Sequence, residues 1–353
     1  MCAGAGGEVE ALQKLLAWKD ADALAGNKSG WSLLKYAVLS DNIGAAQALL
    51  RHAAAAQGRT ASVDEPLRAA IPELSLHRNV TNLHLAMMFA SPALVQLLLD
   101  ARADGRAVDS DLGCNPLHFA SLSGRPDNIA CFIESFPAYD LDSTSTRFGM
   151  SALLWALLCA VPPKQRPTVQ LLMDRGASAH AGTTGCTALH ALTLSEDCDA
   201  TLLSEFATLL CAARPGVEVV TVRFAPTSTT WKIIFKLFAL LWRLGSRTST
   251  VEDFAHALGS TPLHAAARRG DYHAITALLG AGADPTIPNR LGRDAETTAR
   301  IYDAQFSGIA KLLLAASKDR CGSHSRAPSA KVQPETHSID VARNVLNPVG
   351  SRR

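Results

Sequence analysis

Charge of one sign is almost lacking in excess: 34 Lys and Arg stand against 32 Asp and Glu, a net charge of +2. That balance excludes the broad basic surface of a general nucleic-acid binder, so no nucleic-acid partner is expected. The eight cysteines include no CxxC pair. They read as free thiols in a reducing compartment rather than as a zinc or redox centre, and no metal or cofactor is expected. A P-loop, a GxGxxG turn, HExxH and GxSxG are all missing, so the chain is not expected to be an enzyme. Gly26-Asn27-Lys28-Ser29-Gly30 comes near the last of these, but Lys28 fills the serine slot. Long hydrophobic runs are missing too. The stretch WKIIFKLFALLWRL from Trp231 to Leu244 would span about 21 Å as a helix, short of a ~30 Å hydrocarbon core. The opening residues MCAGAGGEVEALQKLLAWKD lack a basic start and a continuous apolar core, and no glycine stands at position 2. No secretory signal or myristoylation is expected there. The cytoplasm is the expected location, with the nucleus as the alternative.

What the sequence does contain is a repeated unit. In GSTPLHAAARRGDYHAITALLGAGADP, Gly259 to Pro285, Thr261 is a good N-cap and Pro262 suits the first helical position. The small residues Ala265, Ala266 and Ala267 form a thin first helix, which Gly270 ends. Asp271 caps a second helix whose Ile275, Leu278 and Leu279 share one face. Two such short helices bury too little apolar surface to stand alone. Segments of the same kind align with Thr261 at Trp31, Thr81, Asn115, Ser151 and Thr187, and a final one begins at Asp294. The steps from Trp31 to Thr261 are 50, 34, 36, 36 and 74 residues. The last is twice 37, which predicts a degenerate copy near Phe224. A period of this size indicates a stacked helical array.

The motif TPLHxAA, carried by Thr261, Pro262, Leu263 and His264 and echoed at Thr81/His84, Asn115/His118 and Thr187/His190, resembles the ankyrin repeat family. In the Trp31 and Ser151 copies, Leu34 and Leu154 stand where the motif has histidine. The resemblance implies an all-α solenoid of stacked helix–turn–helix units with short β-turn fingers, about seven or eight repeats in all. Residues 1–30 are expected to hold a capping helix at Glu8–Trp18 and a linker, and 31–320 the array. A surface insertion is expected at about 52–72, and residues 321–353 read as a disordered tail.

The recurring histidines could suggest a metal row. Equivalent positions in successive repeats lie about 10 Å apart, too far to share one ion, and in ankyrin repeats this histidine looks like a structural hydrogen-bonder. The family usually binds through the turns before each anchor and the exposed end of each first helix. Carried over, those positions are Arg78, Met88, Phe89, Leu122, Arg147, Phe148, Met150, Leu158, Leu194, Arg268 and Arg269. Met88, Leu122, Leu158 and Leu194 share one register, which reads either as an apolar groove or, if the helices run a turn longer, as internal packing. With arginines at its margins, such a groove would suit an amphipathic helix or extended peptide with acidic flanks. The function implied is a non-catalytic scaffold or adaptor for a protein or peptide partner. Trp231–Leu244, with Lys232, Lys236 and Arg243 on one stripe, reads either as the outer helix of the Phe224 copy or as an interfacial membrane or partner-binding helix. A regulatory subunit of an enzyme is the remaining alternative.

Overall fold

A computed structural model describes residues 24–55, 63–71, 76–159, 162–179, 182–194, 200–213, 219–245, 248, 254–302 and 307–324. Seven helix pairs follow one another: α1 Leu33–Leu39 with α2 Ile43–Ala55, α3 Asn82–Phe89 with α4 Pro92–Asp100, and α5 Pro116–Leu122 with α6 Pro126–Ser135. Next come α7 Ala152–Cys159 with α8 Pro162–Asp174, and α9 Ala188–Leu194 with α10 Ala200–Ala213. A lone helix α11, Thr229–Arg243, precedes α12 Pro262–Arg269 with α13 Tyr272–Gly280, and α14 Ala295–Tyr302 with α15 Ser307–His324. The first helices stack in one row, α1–α3–α5–α7–α9–α12–α14, with the second helices against their backs. This is the expected all-α solenoid.

The row forms because each first helix is thin and apolar on two sides. Leu83, Leu117, Leu153, Leu189 and Leu263 occupy one slot and are all fully buried, each contributing roughly 2 kcal/mol by leaving water. The first repeat requires a correction of register. Its N-cap is Ser32, whose hydroxyl accepts from the Lys35 amide, and not Trp31. A serine can cap a helix and a tryptophan cannot. Leu34 therefore fills the buried leucine slot, and Lys35 stands where other repeats have histidine.

A second correction concerns Phe224. Helix α9 packs directly on α12, and α10 on α13, so no repeat stands between them. The finger that leads into each first helix explains the extra length. In tight fingers the Asp109 amide donates to the Cys114 carbonyl, Ser145 to Met150, and Asn289 to Arg293. The first residue of each also supplies a side-chain acceptor: Asp109 to the amides of Asp111, Leu112 and Cys114, Ser145 to Met150, and Asn289 to Leu291 and Arg293. Two fingers start instead with Leu67 and Phe224, which have no acceptor to hold a tight turn. Their amides still pair with the residue before the anchor, Leu67 with Val80 and Phe224 with Ser260. The chain between makes an excursion. Thirty-six residues separate Phe224 from Ser260 where five separate Asp109 from Cys114. Both long steps in the repeat spacing are thus at least partly opened fingers, and α11 belongs to the larger one.

The Glu8–Trp18 segment and the residues beyond 324 lie outside the described part, as do 56–62 and 72 of the expected insertion. Cys321–His324, assigned by sequence to a disordered tail, continues α15. The finger assignment carries a prediction. Replacing residues 224–259 by the Asp109–Gly113 sequence leaves the array folded, with a thermal midpoint within about 5 °C of the parent. Loss of the cooperative melt would show instead that the excursion is integral to the stack.

Candidate functional site

The recurring histidines are braces between repeats. The amides of Thr81, Asn115 and Thr261 donate to Nδ1 of His84, His118 and His264 at 3.1–3.2 Å. An Nδ1 that accepts fixes the proton on Nε2, which donates to a carbonyl further along the chain. The acceptors are Cys114 for His84, Ser143 for His118 and Arg293 for His264, at 3.0–3.1 Å. His190 likewise bonds the Thr187 hydroxyl and the Ser260 carbonyl, spanning the opened finger. Burial pushes His84 and His118 down to about 4, and lowers His264 as well. Lys35 performs the same bracing by another chemistry, donating its Nζ to the Glu65 carbonyl. Burial lowers it to about 8 against the attraction of Glu65. In the Ser151 repeat Leu154 fills the slot, and the buried Ser151 hydroxyl has no partner among the described residues. Described residues hold no His/Cys/Asp/Glu group able to bind a metal. Burial raises the Cys114 and Cys186 thiols, Cys186 to about 12, so neither supplies a thiolate near neutral pH.

The positions carried over from the family fall into two sets. Met88, Leu122, Leu158, Leu194 and Arg268 lie near the C-terminal ends of successive first helices, forming one row along the array. Met88, Leu122 and Leu158 are half-buried against the core, whereas Leu194 is 49% exposed. Phe89 is also exposed, and the Arg125 guanidinium donates to the Met88 and Phe89 carbonyls. Arg269 makes the same type of contact with Thr193, so both arginines cap a neighbouring helix C-terminus. The second set sits on the fingers. Arg78 is exposed, Arg147 lies over the Phe148 ring and donates to the Asp111 carbonyl, and Met150 is half-buried beside Gly182.

The row runs into a cleft of about 460 Å³ between the opened finger and the first helices. Leu194, Phe224, Phe235 and Phe254 form its apolar walls, and His256, Arg268 and Arg269 its polar edge. The Arg268 guanidinium is also held over the Tyr302 ring at 4.9 Å. Sequence reading missed the finger contribution, because Phe224 and Phe254 meet only when the excursion folds back. Phe235 is the link, with ring centroids 5.2 Å from Phe224 and 5.3 Å from Phe254. Lys35 was legible from Ser32, a better cap than the neighbouring tryptophan.

Stacked pairs, histidine braces and fingers define a repeat protein whose first-helix ends and turns form a long continuous surface. Family models of ankyrin repeats match the chain over residues 83–181, as three copies, and over 258–290. The chain is an ankyrin repeat protein. It is similar to human B-cell lymphoma 3 protein, with 33% identity over 111 residues, which is 31% of this chain and 24% of that protein. The match thus spans about a quarter of the curated relative. Among solved structures it is similar to the ankyrin repeat domain of Bcl-3, described as a unique member of the IkappaB protein family. The TM-score is 0.56 at 22% identity, covering 82% of this chain and 100% of that one. The human ASB11 ankyrin repeat domain aligns with a TM-score of 0.45 at 19% identity, covering 89% of this chain and 95% of that one.

Proposed function

We propose that this chain is a non-catalytic adaptor that binds a partner protein through the row of first-helix ends and the cleft in which that row finishes. The carrying observation is Leu194, large, apolar and half-exposed where the row of Met88, Leu122 and Leu158 meets the Phe224–Phe235–Phe254 cleft. An apolar channel with arginines along one edge suits an extended or helical peptide bearing an apolar anchor beside a carboxylate. Ankyrin repeats in this chain and its likeness to Bcl-3 support a protein-interaction module. Free thiols at Cys114, Cys131, Cys159 and Cys186 favour a reducing compartment, the cytoplasm or nucleus.

The test is a Leu194→Asp substitution. The position is exposed, so the thermal midpoint should move by less than about 3 °C. Partner capture by the full chain should fall by about tenfold or more, since a carboxylate would be buried at the anchor site. A partner still captured at parental strength by a folded Leu194→Asp protein would move the interface away from this row, to the finger tips at Arg78, Arg147 and Phe148.

A further inference from the structure

Helix α11 has a face that the array leaves unused. Its Phe235 side is buried against Phe224 and Phe254, yet Ile233, Leu237, Leu240 and Leu244 are between 51% and 75% exposed. These residues are spaced four, three and four apart. At 3.6 residues per turn they fall in one strip about 60° wide. Lys232, Lys236 and Arg243 lie exposed along one flank of the strip, and Thr229–Arg243 contains no Asp or Glu. Lys232 and Lys236 also line a separate cleft of about 390 Å³ together with Arg223 and Arg290, with no carboxylate among its described lining residues. Ile233, Leu237, Leu240 and Leu244 line neither of these two clefts.

We propose that α11 docks this protein on an anionic lipid surface, lying in the plane of the membrane. Leu237 and Leu240, flanked by Ile233 and Leu244, enter the acyl boundary, while Lys232, Lys236, Arg223 and Arg290 engage headgroup phosphates. Charge selects this occupant. An exposed apolar strip flanked by cations alone suits the boundary between acyl chains and anionic headgroups. A second copy of α11 would set cations against cations with no carboxylate between them. Residues 325–353 carry five Lys and Arg against two Asp and Glu, so that segment is repelled as well. No helix among the described residues is long and apolar enough to cross a membrane, which restricts the contact to one leaflet.

The experiment is flotation of the full chain with vesicles of phosphatidylcholine alone, or with about 30% phosphatidylserine. Binding to the anionic vesicles only, reduced about tenfold or more by Leu237→Asp/Leu240→Asp and similarly by Lys232→Glu/Lys236→Glu, is the expected result. Salt at about 0.5 M should weaken it too. All four positions are exposed, so both variants should keep the parental melt. The proposal is overturned by no binding to anionic vesicles, or by binding that the leucine variant leaves unchanged. A dimer that the leucine variant dissolves, without vesicle binding, would assign the strip to self-association instead. Leu194→Asp should float as the parent does, so failure here and failure of the partner-binding reading are separate outcomes.

Discussion

Lowering the pH from 7 to 4 is expected to remove about 6 kcal/mol of stability through His84 and His118 alone. Both imidazoles are buried, and both accept a backbone N–H at Nδ1 while donating Nε2–H to a carbonyl. A second proton would place N–H against N–H at Nδ1, inside the core. Burial accordingly lowers both groups to about 4, from an ordinary value of 6.5. The unfolded chain then takes up protons as the pH drops through 6.5, while the folded chain does not until about 4. Stability is therefore intact above the unfolded value and declines below it, by about 2 kcal/mol per histidine at pH 5 and about 3 at pH 4. His264 adds to this in the same direction, while Asp64, raised chiefly by burial, opposes it. Urea unfolding at pH 7, 5 and 4 measures the sum. A His118→Gln variant should begin less stable at pH 7, with its brace weakened, and lose correspondingly less on acidification. Equal urea midpoints at pH 7 and 5 for the parent would show that these rings are solvated or protonated in the fold.

The array itself was legible because the determinants of each first helix are local. An N-cap, a proline at the first position and a histidine three residues after the cap lie within four residues, and their partners repeat with them. What sequence spacing could not show was the origin of the 74-residue step. Twice 37 imitates a missing repeat, but the length of a finger is set by one side chain at its start. Asp109, Ser145 and Asn289 can hold a tight turn, and Leu67 and Phe224 cannot. That rule becomes visible only when the fingers are superposed. Exposure of the apolar row was illegible for a different reason. Met88, Leu122 and Leu158 occupy equivalent places to Leu194, yet contacts from neighbouring repeats half-cover them, while Leu194 borders the opened finger. The candidate site is thus concentrated where the regular stack is interrupted. The two proposed contacts, one with a peptide and one with a lipid surface, fall on different faces of the same excursion.

At the alkaline end, Lys35 is expected to contribute a gain of about 3 kcal/mol between pH 8 and 10.5, an effect absent from Lys35→Met. Lys35 is fully buried in the slot that other repeats give to histidine, with its Nζ on the Glu65 carbonyl. Burial lowers its value from 10.5 to about 8, only partly offset by Glu65. Below pH 8 both folded and unfolded chains carry the proton, and the fold bears the cost of a buried charge. Above it the folded chain releases the proton first. The unfolded chain then binds more protons, so stability rises with pH until the unfolded lysine also titrates. The buried thiols pull the other way: Cys114 and Cys186 are raised by burial, so the unfolded chain ionises first and is favoured above about pH 9. The parent alone therefore need not become more stable, and the informative quantity is its stability minus that of Lys35→Met, in which the thiol contribution cancels. That difference should grow steadily from pH 8 to 10.5. A difference that stays flat would mean that Lys35 reaches water and keeps its ordinary proton affinity. The brace in the first repeat would then be an exposed cation on a carbonyl, without the pH response of a buried lysine.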